Sequence, residues 1–198
     1  MKILYNNFEY LDLLSNIQKN YKTVYGWGAF GAYADYANNR SRYKVPNAPK
    51  DSFIFDCSGF AYKAIPWGWN GSHTRYGGAI YKAIPELETN NIMTICSEVS
   101  TDFSRISPGE VLYGKFNGNG HVGIYAGDCY VYECTTDFGG GVMITRILNV
   151  SSINGAGYPG RQWQKHGKLP FIEYVNKYNK CCQYKRDHGQ CPGCNIIV

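Results

Sequence analysis

The sequence predicts an α+β domain in which a short helix bearing one cysteine packs on an antiparallel sheet bearing one histidine. Three observations carry this. Phe8, Leu11, Leu14 and Ile17 recur at helical spacing, Asp56-Cys57-Ser58-Gly59-Phe60 reads as the capped start of a second helix, and the region from Glu110 to Ile147 alternates apolar and polar residues between turn signals. The order along the chain is helical first, then mostly strands.

In the first element Leu13 widens the apolar stripe, so residues 8 to 20 read as an amphipathic helix. In the second, Asp56 is the N-cap, Cys57 the first helical residue, and Phe60, Ala61, Ala64 and Ile65 the buried stripe, with Pro66 ending the helix. Trp67-Gly68-Trp69-Asn70-Gly71 is a loop signature whose tryptophans close the core or form a substrate wall, core being the commoner use. Residues 77 to 87 fit a further helix interrupted near Pro85. Ser107-Pro108-Gly109 turns the chain into a strand at Glu110 to Tyr113. Gly118-Asn119-Gly120 then leads into the His121 strand, which is followed by the Cys129 to Cys134 strand and by Val142 to Ile147.

A thiol at a helix N-terminus meets unpaired backbone N–H groups and the positive end of the helix dipole, which favour thiolate over thiol. The alternative is that Cys57 is an ordinary buried small residue. His121 shifts the balance, because a strand fixes the direction of its imidazole. Glu133 is the third candidate, and hairpin register decides whether it reaches His121. A two-residue loop at Gly127-Asp128 turns Glu133 to the opposite face, whereas a three-residue loop, Ala126-Gly127-Asp128, sets Glu133 directly opposite His121. The second register is expected, with the carboxylate orienting the imidazole and the other ring nitrogen serving Cys57. A solvated strand glutamate is the plain alternative. His73, in a polar loop, and His166, beside lysine and glycine near the domain end, are competing bases that no predicted strand fixes.

These residues resemble the NlpC/P60 branch of the papain-like cysteine peptidases. The likeness rests on Asp-Cys-Ser-Gly-Phe, on Gly120-His121-Val122-Gly123-Ile124-Tyr125, and on a polar residue twelve positions after the histidine. It extends upstream to Val24-Tyr25-Gly26-Trp27-Gly28 and downstream through Gly141 to Thr145 and Trp163 to Pro170. The last segments resemble endolysin-type members from phages and prophages of Gram-positive gut bacteria. The resemblance implies a papain-like NlpC/P60 fold over residues 1–175, with Cys57 as nucleophile, His121 as base and Glu133 as third member. It also implies Tyr25 near the thiolate, and Asp56 and Ser58 lining the substrate site. The implied substrate is a stem or cross-link peptide of peptidoglycan, cut at a D-glutamyl bond to a diamino acid, with no cofactor for catalysis. Glutamate at the third position is reminiscent of the related CHAP amidases and endopeptidases, which leaves an N-acetylmuramoyl-L-alanine amidase open. An inactive wall-binding module and a cytosolic thiol acyltransferase or deamidase effector are the readings from other classes.

At 198 residues the chain fits one core better than two. No apolar run reaches membrane-span length, and Met1 to Asn7 breaks off before a signal-peptide core, so synthesis in the cytoplasm and action on the cell wall after release are expected. The net charge of +5 lies largely after Arg161, in Lys165, Lys168, Lys177, Lys180, Lys185 and Arg186. That suits an acidic wall polymer; nucleic acid is not expected, since no nucleic-acid motif accompanies the charge. The basic stretch Arg40 to Pro46 is read either as an elaborated loop near the cleft or as a solvated surface loop. Residues 176–198 form a cysteine-rich tail: Cys181, Cys182, His188, Cys191 and Cys194 supply a knuckle and partners for a structural zinc, or else disulfides or free thiols.

Overall fold

The computed structural model describes residues 1–80, 83–150 and 157–175. Strand β1 (Tyr5–Asn6) leads into helix α1 (Asn7–Asn20). Asn6 Oδ1 accepts from the N–H groups of Phe8 and Glu9, and Glu9 returns a bond to the Asn6 N–H, a capping box that starts the helix one residue before the apolar stripe. Tyr10, Leu11, Leu14 and Ile17 face the core, whereas Leu13, expected in the stripe, is exposed. Successive residues turn by about 100°, so Leu13 falls outside the arc that Leu11, Leu14 and Ile17 define.

Strands β2 (Thr23–Tyr25) and β3 (Phe30–Tyr33), helix α2 (Asn39–Arg42) and strand β4 (Phe53–Phe55) follow. They form a three-stranded sheet of order β2-β4-β3 in which Tyr25 pairs with Phe55, two residues before Cys57. Chain turns at Cys57 into a helix that widens to a π-helix over Gly59–Lys63, closed by the Ala64 N–H bonding the Gly59 carbonyl. Trp67 and Trp69 then bury in the core, and their indole N–H groups donate to the carbonyls of Ile84 and Gly31. The helix expected over 77–87 does not form among the described residues; helix comes only at α3 (Thr89–Ile92), beyond Pro85, which cannot donate an N–H to a helical turn.

Strands β5 (Ser97–Ser100), β6 (Val111–Phe116), β7 (Asn119–Gly127), β8 (Tyr130–Thr135), β9 (Gly141–Ile147), β10 (Gly160–Arg161) and β11 (Lys165–Lys168) form a seven-stranded sheet among the described residues. Its order is β10-β9-β8-β7-β6-β11-β5, antiparallel except for the β9–β10 pair. Strand β12 (Ile172–Glu173) returns to pair with β1. The fold is therefore α+β: the main core lies between α1, the Cys57 helix and one face of the sheet, where Phe60, Ala61 and Ala64 meet Val111, Val122, Ile124 and Cys134. No helix among the described residues is long and apolar enough to cross a membrane. The zinc or disulfide tail expected at Cys181, Cys182, His188, Cys191 and Cys194 lies outside the described residues.

Candidate active site

The Cys57 helix is held from its first turn. Asp56 is 7% exposed; its Oδ1 accepts from the Gly59 N–H and the Ser58 hydroxyl, and its Oδ2 accepts from the Gly28 N–H at 2.8 Å. The expected N-cap thus also ties the Tyr25–Gly28 turn to the start of the Cys57 helix. Asp56 and Ser58 are both buried, and the bond between them and that to the Gly59 N–H lie within the helix start. Burial raises the Asp56 carboxyl above its ordinary value, with the Gly59 N–H, Lys63, Ser58 and the Gly28 N–H pulling the other way. Gly59 permits close packing: a Cβ there would lie 1.9 Å from the Ala29 carbonyl oxygen, so this turn rests directly on the chain leading into β3.

The Cys57 thiol is 3% exposed and has Thr89 Oγ1 at 3.5 Å, and it lies near enough to His121 and Tyr25 to act on the charge state of both. Tyr25 is therefore at the thiol, as the resemblance implies. Burial, then the charges of Cys57, Asp56 and Cys134, and the bond to Cys57 raise its phenol well above the ordinary value. Burial likewise raises Cys134, and raises Cys96 to about 12, so these two thiols are poor nucleophiles.

His121 Nε2 lies 2.6 Å from Glu133 Oε2, and Glu133 is fully buried. A carboxylate only accepts, so Nε2 carries the proton and Nδ1 is the nitrogen left for the thiol. Burial disfavours the imidazolium, but hydrogen bonds to Cys57 and Glu133 and their charges outweigh it and raise His121 to about 9. Trp163 stacks on the imidazole at 5.7 Å and Phe116 meets its edge at 5.8 Å, which keep water off the His121–Glu133 bond.

The hairpin reaches this geometry by a different route from the expected one. Its turn is the two-residue Asp128-Cys129, both with positive φ (50° and 69°), and a bulge between Tyr125 and Gly127 restores the face. Glu133 consequently pairs with Gly123, two residues along from His121, and not with His121 itself. A shift of two preserves the face, so the carboxylate reaches the imidazole diagonally. Gly123 makes room for this: a Cβ there would lie 2.8 Å from Val131 Cγ1 and 3.1 Å from the Trp163 ring.

Sequence reasoning missed the groups behind Glu133. Thr145 donates its hydroxyl to Oε1. Arg161 Nε lies 3.1 Å from Oε1 and 3.0 Å from Oε2, and its Nη2 bonds Thr135 Oγ1 at 2.8 Å and Asp137 Oδ2 at 2.9 Å. The guanidinium lies 4.8 Å from both the Phe116 and Phe138 ring centres. Burial would raise the Glu133 carboxyl, but His121, Arg161 and Thr145 hold it below its ordinary value. The signal available was indirect: a fully buried carboxylate needs strong positive partners, and Arg161 stands alone between aromatic residues.

His166, for which no strand was predicted, is fixed by one. It lies on β11, 4% exposed, with Nδ1 bonded to Glu110 and Nε2 donating to the Asp102 carbonyl at 2.9 Å, so neither nitrogen is available to a thiol. His73 stacks on Tyr33 at 4.0 Å in its loop. Of the basic stretch, Arg40 pairs with Asp35 at 3.4 Å and Tyr43 is buried. Among the described residues no three histidine, cysteine, aspartate or glutamate side chains are grouped to hold a metal, and Cys57, Cys96, Cys129 and Cys134 are all free thiols.

The site thus brings together a helix-borne thiol, a strand-borne imidazole and a buried carboxylate hydrogen-bonded to that imidazole, on an α+β scaffold. No protein-family model matches the chain, and no curated protein matches it. Solved structures to which the chain is similar include two NlpC proteins and a P60 domain. NlpC1 from Trichomonas vaginalis is 14% identical with a TM-score of 0.45, over 82% of this chain and 44% of its own. NlpC2 from the same organism is 17% identical with a TM-score of 0.47, over 83% and 47%. The P60 domain of the Mycobacterium avium subspecies paratuberculosis antigen MAP1204 is 17% identical with a TM-score of 0.45, over 85% and 96%. The chain spans less than half the length of the first two.

Proposed function

We propose that the chain is a cysteine peptidase of NlpC/P60 type that hydrolyses peptide bonds in bacterial peptidoglycan. The observation that carries this reading is the buried Glu133 bond to His121 Nε2, which leaves the other ring nitrogen to the Cys57 thiol. A structural cysteine needs no oriented base, and a wall-binding module needs neither.

In the reaction, His121 takes the Cys57 proton and the thiolate attacks the peptide carbonyl. The imidazolium so formed is stabilised by Glu133 and later gives its proton to the departing amine as the C–N bond breaks, leaving a thioester. Water then attacks the thioester, His121 taking its proton and returning it to the sulfur as the free acid leaves. The Cys57 N–H, in the first helical turn where no preceding helical carbonyl claims it, is the donor we assign to the oxyanion, and the Tyr25 hydroxyl borders the same thiol.

The bond we assign is that between D-glutamate and the diamino acid of a stem or cross-link peptide, with an endolysin-type enzyme released onto the wall as its setting. Both rest on the motif resemblance. Incubating wild type and Cys57→Ala with peptidoglycan from several Gram-positive species, and identifying new termini by mass spectrometry, tests them. New amines on the diamino acid from wild type alone support the reading. Free L-alanine termini with the sugar detached make the enzyme an amidase, and no fragments from any wall overturn the proposal.

A further inference from the structure

Arg161 touches neither the thiol nor the imidazole, yet it is the only cation bonded to both Glu133 oxygens among the described residues. We propose that Arg161 is a positioning residue: it clamps the Glu133 carboxylate against His121 and shares its charge, so that His121 faces a partly neutralised carboxylate and can release its proton during turnover. This rests on Cys57 and His121 being the working pair of the proposed peptidase.

The geometry allows little else for this side chain. It is 7% exposed, its Nε reaches both carboxylate oxygens, its Nη2 is fixed by Thr135 and Asp137, and Phe116 and Phe138 confine its plane. A bare buried glutamate bonded to an imidazole would hold the proton on the ring in a low-dielectric site, and a base that cannot give up its proton cannot finish the cycle. Glu133 divided between His121 and Arg161 avoids this, and Asp137, whose side chain is 43% exposed, in turn draws on Arg161 from the solvent side. The titratable groups that act on the imidazole are Cys57 from its helix and Glu133 from β8. Neither is a cation, so the positive charge that limits Glu133 comes from Arg161.

The test follows the His121 imidazole by NMR across a pH titration of the full chain, assigned by comparison with His121→Ala, and in parallel the pH dependence of Cys57 alkylation by iodoacetamide. Arg161→Gln should move the His121 midpoint upward by about one pH unit, roughly tenfold in proton affinity, the size expected of one charge removed at this distance in a partly buried site. Asp137→Asn should move it the other way by a smaller amount, since Arg161 then gives more of its charge to Glu133. A folded Arg161→Gln protein whose midpoint stays or falls overturns the proposal. If that variant does not fold, Asp137→Asn decides alone, on an exposed turn, and an unmoved midpoint overturns it. These readouts need no wall substrate: moved midpoints with no fragments released defeat the peptidase reading, whereas fragments with unmoved midpoints defeat only the role of Arg161.

Discussion

Replacing Glu133 by glutamine keeps the shape of the side chain and removes its charge, and the structure gives the consequences a sign at each pH. In the wild type His121 is raised from 6.5 to about 9 and Glu133 is lowered below 4.5. The histidine contribution is fully present below about pH 6.5 and is lost as pH rises through about 9, because the folded state then no longer binds the extra proton. The glutamate contribution has the opposite sense: it is present above 4.5 and is lost as pH falls through the lowered folded value. The rise at His121 corresponds to about 3 kcal/mol, shared between Cys57 and Glu133. Breaking a buried charge pair costs about 3–5 kcal/mol, and Asp137 stays behind to partner Arg161, which places Glu133→Gln near the lower end. For a chain of this size that is a fall in melting temperature of roughly 6–12 °C. Urea unfolding of wild type and variant should give the largest stability difference at about pH 5 to 6.5, shrinking by about 1–2 kcal/mol towards pH 9.5 as His121 deprotonates. A stability difference that stays constant over that range would refute the reasoning, since His121 would then not be titrating against Glu133.

Tyr25→Phe removes the hydroxyl that interacts with the thiol and leaves its ring in place, so Cys57 alkylation should slow by about threefold to tenfold with little change in melting temperature. Gly59→Ala forces a Cβ to 1.9 Å from the Ala29 carbonyl oxygen, which should cost about 3 kcal/mol or more and be read as a lower melting temperature together with lost thiol reactivity. Asp56→Ala deletes the helix cap and the tie to Gly28, costing about 1–2 kcal/mol in urea unfolding and loosening the Tyr25 turn, seen as slower alkylation. Chelation should leave Cys57 alkylation unchanged, because neither the thiol nor its base is proposed to need a metal; a loss of reactivity on chelation would count against the metal-free reaction.

What the sequence alone determined is local or periodic. The α1 stripe follows from 3.6-residue spacing, the start of the Cys57 helix from aspartate followed by a short apolar run, and the fixed direction of His121 from strand alternation. The face of Glu133 was legible too, because side chains alternate with period two and any even register error preserves it. The register itself was not: the bulge before Gly127 and the left-handed Asp128-Cys129 turn are decided by how the hairpin packs, since Cys129 is not a usual choice for positive φ. His166 became a strand residue only through pairing of β11 with β5 and β6, strands distant in sequence. Arg161 and Thr145 carry no pattern of their own; they belong to the site because β9 and β10 close the sheet over a buried carboxylate whose charge must be met. Sequence thus named the thiol, the imidazole and the carboxylate, and tertiary structure alone decided what holds that carboxylate, because desolvation is a property of the packed fold and not of any segment of it.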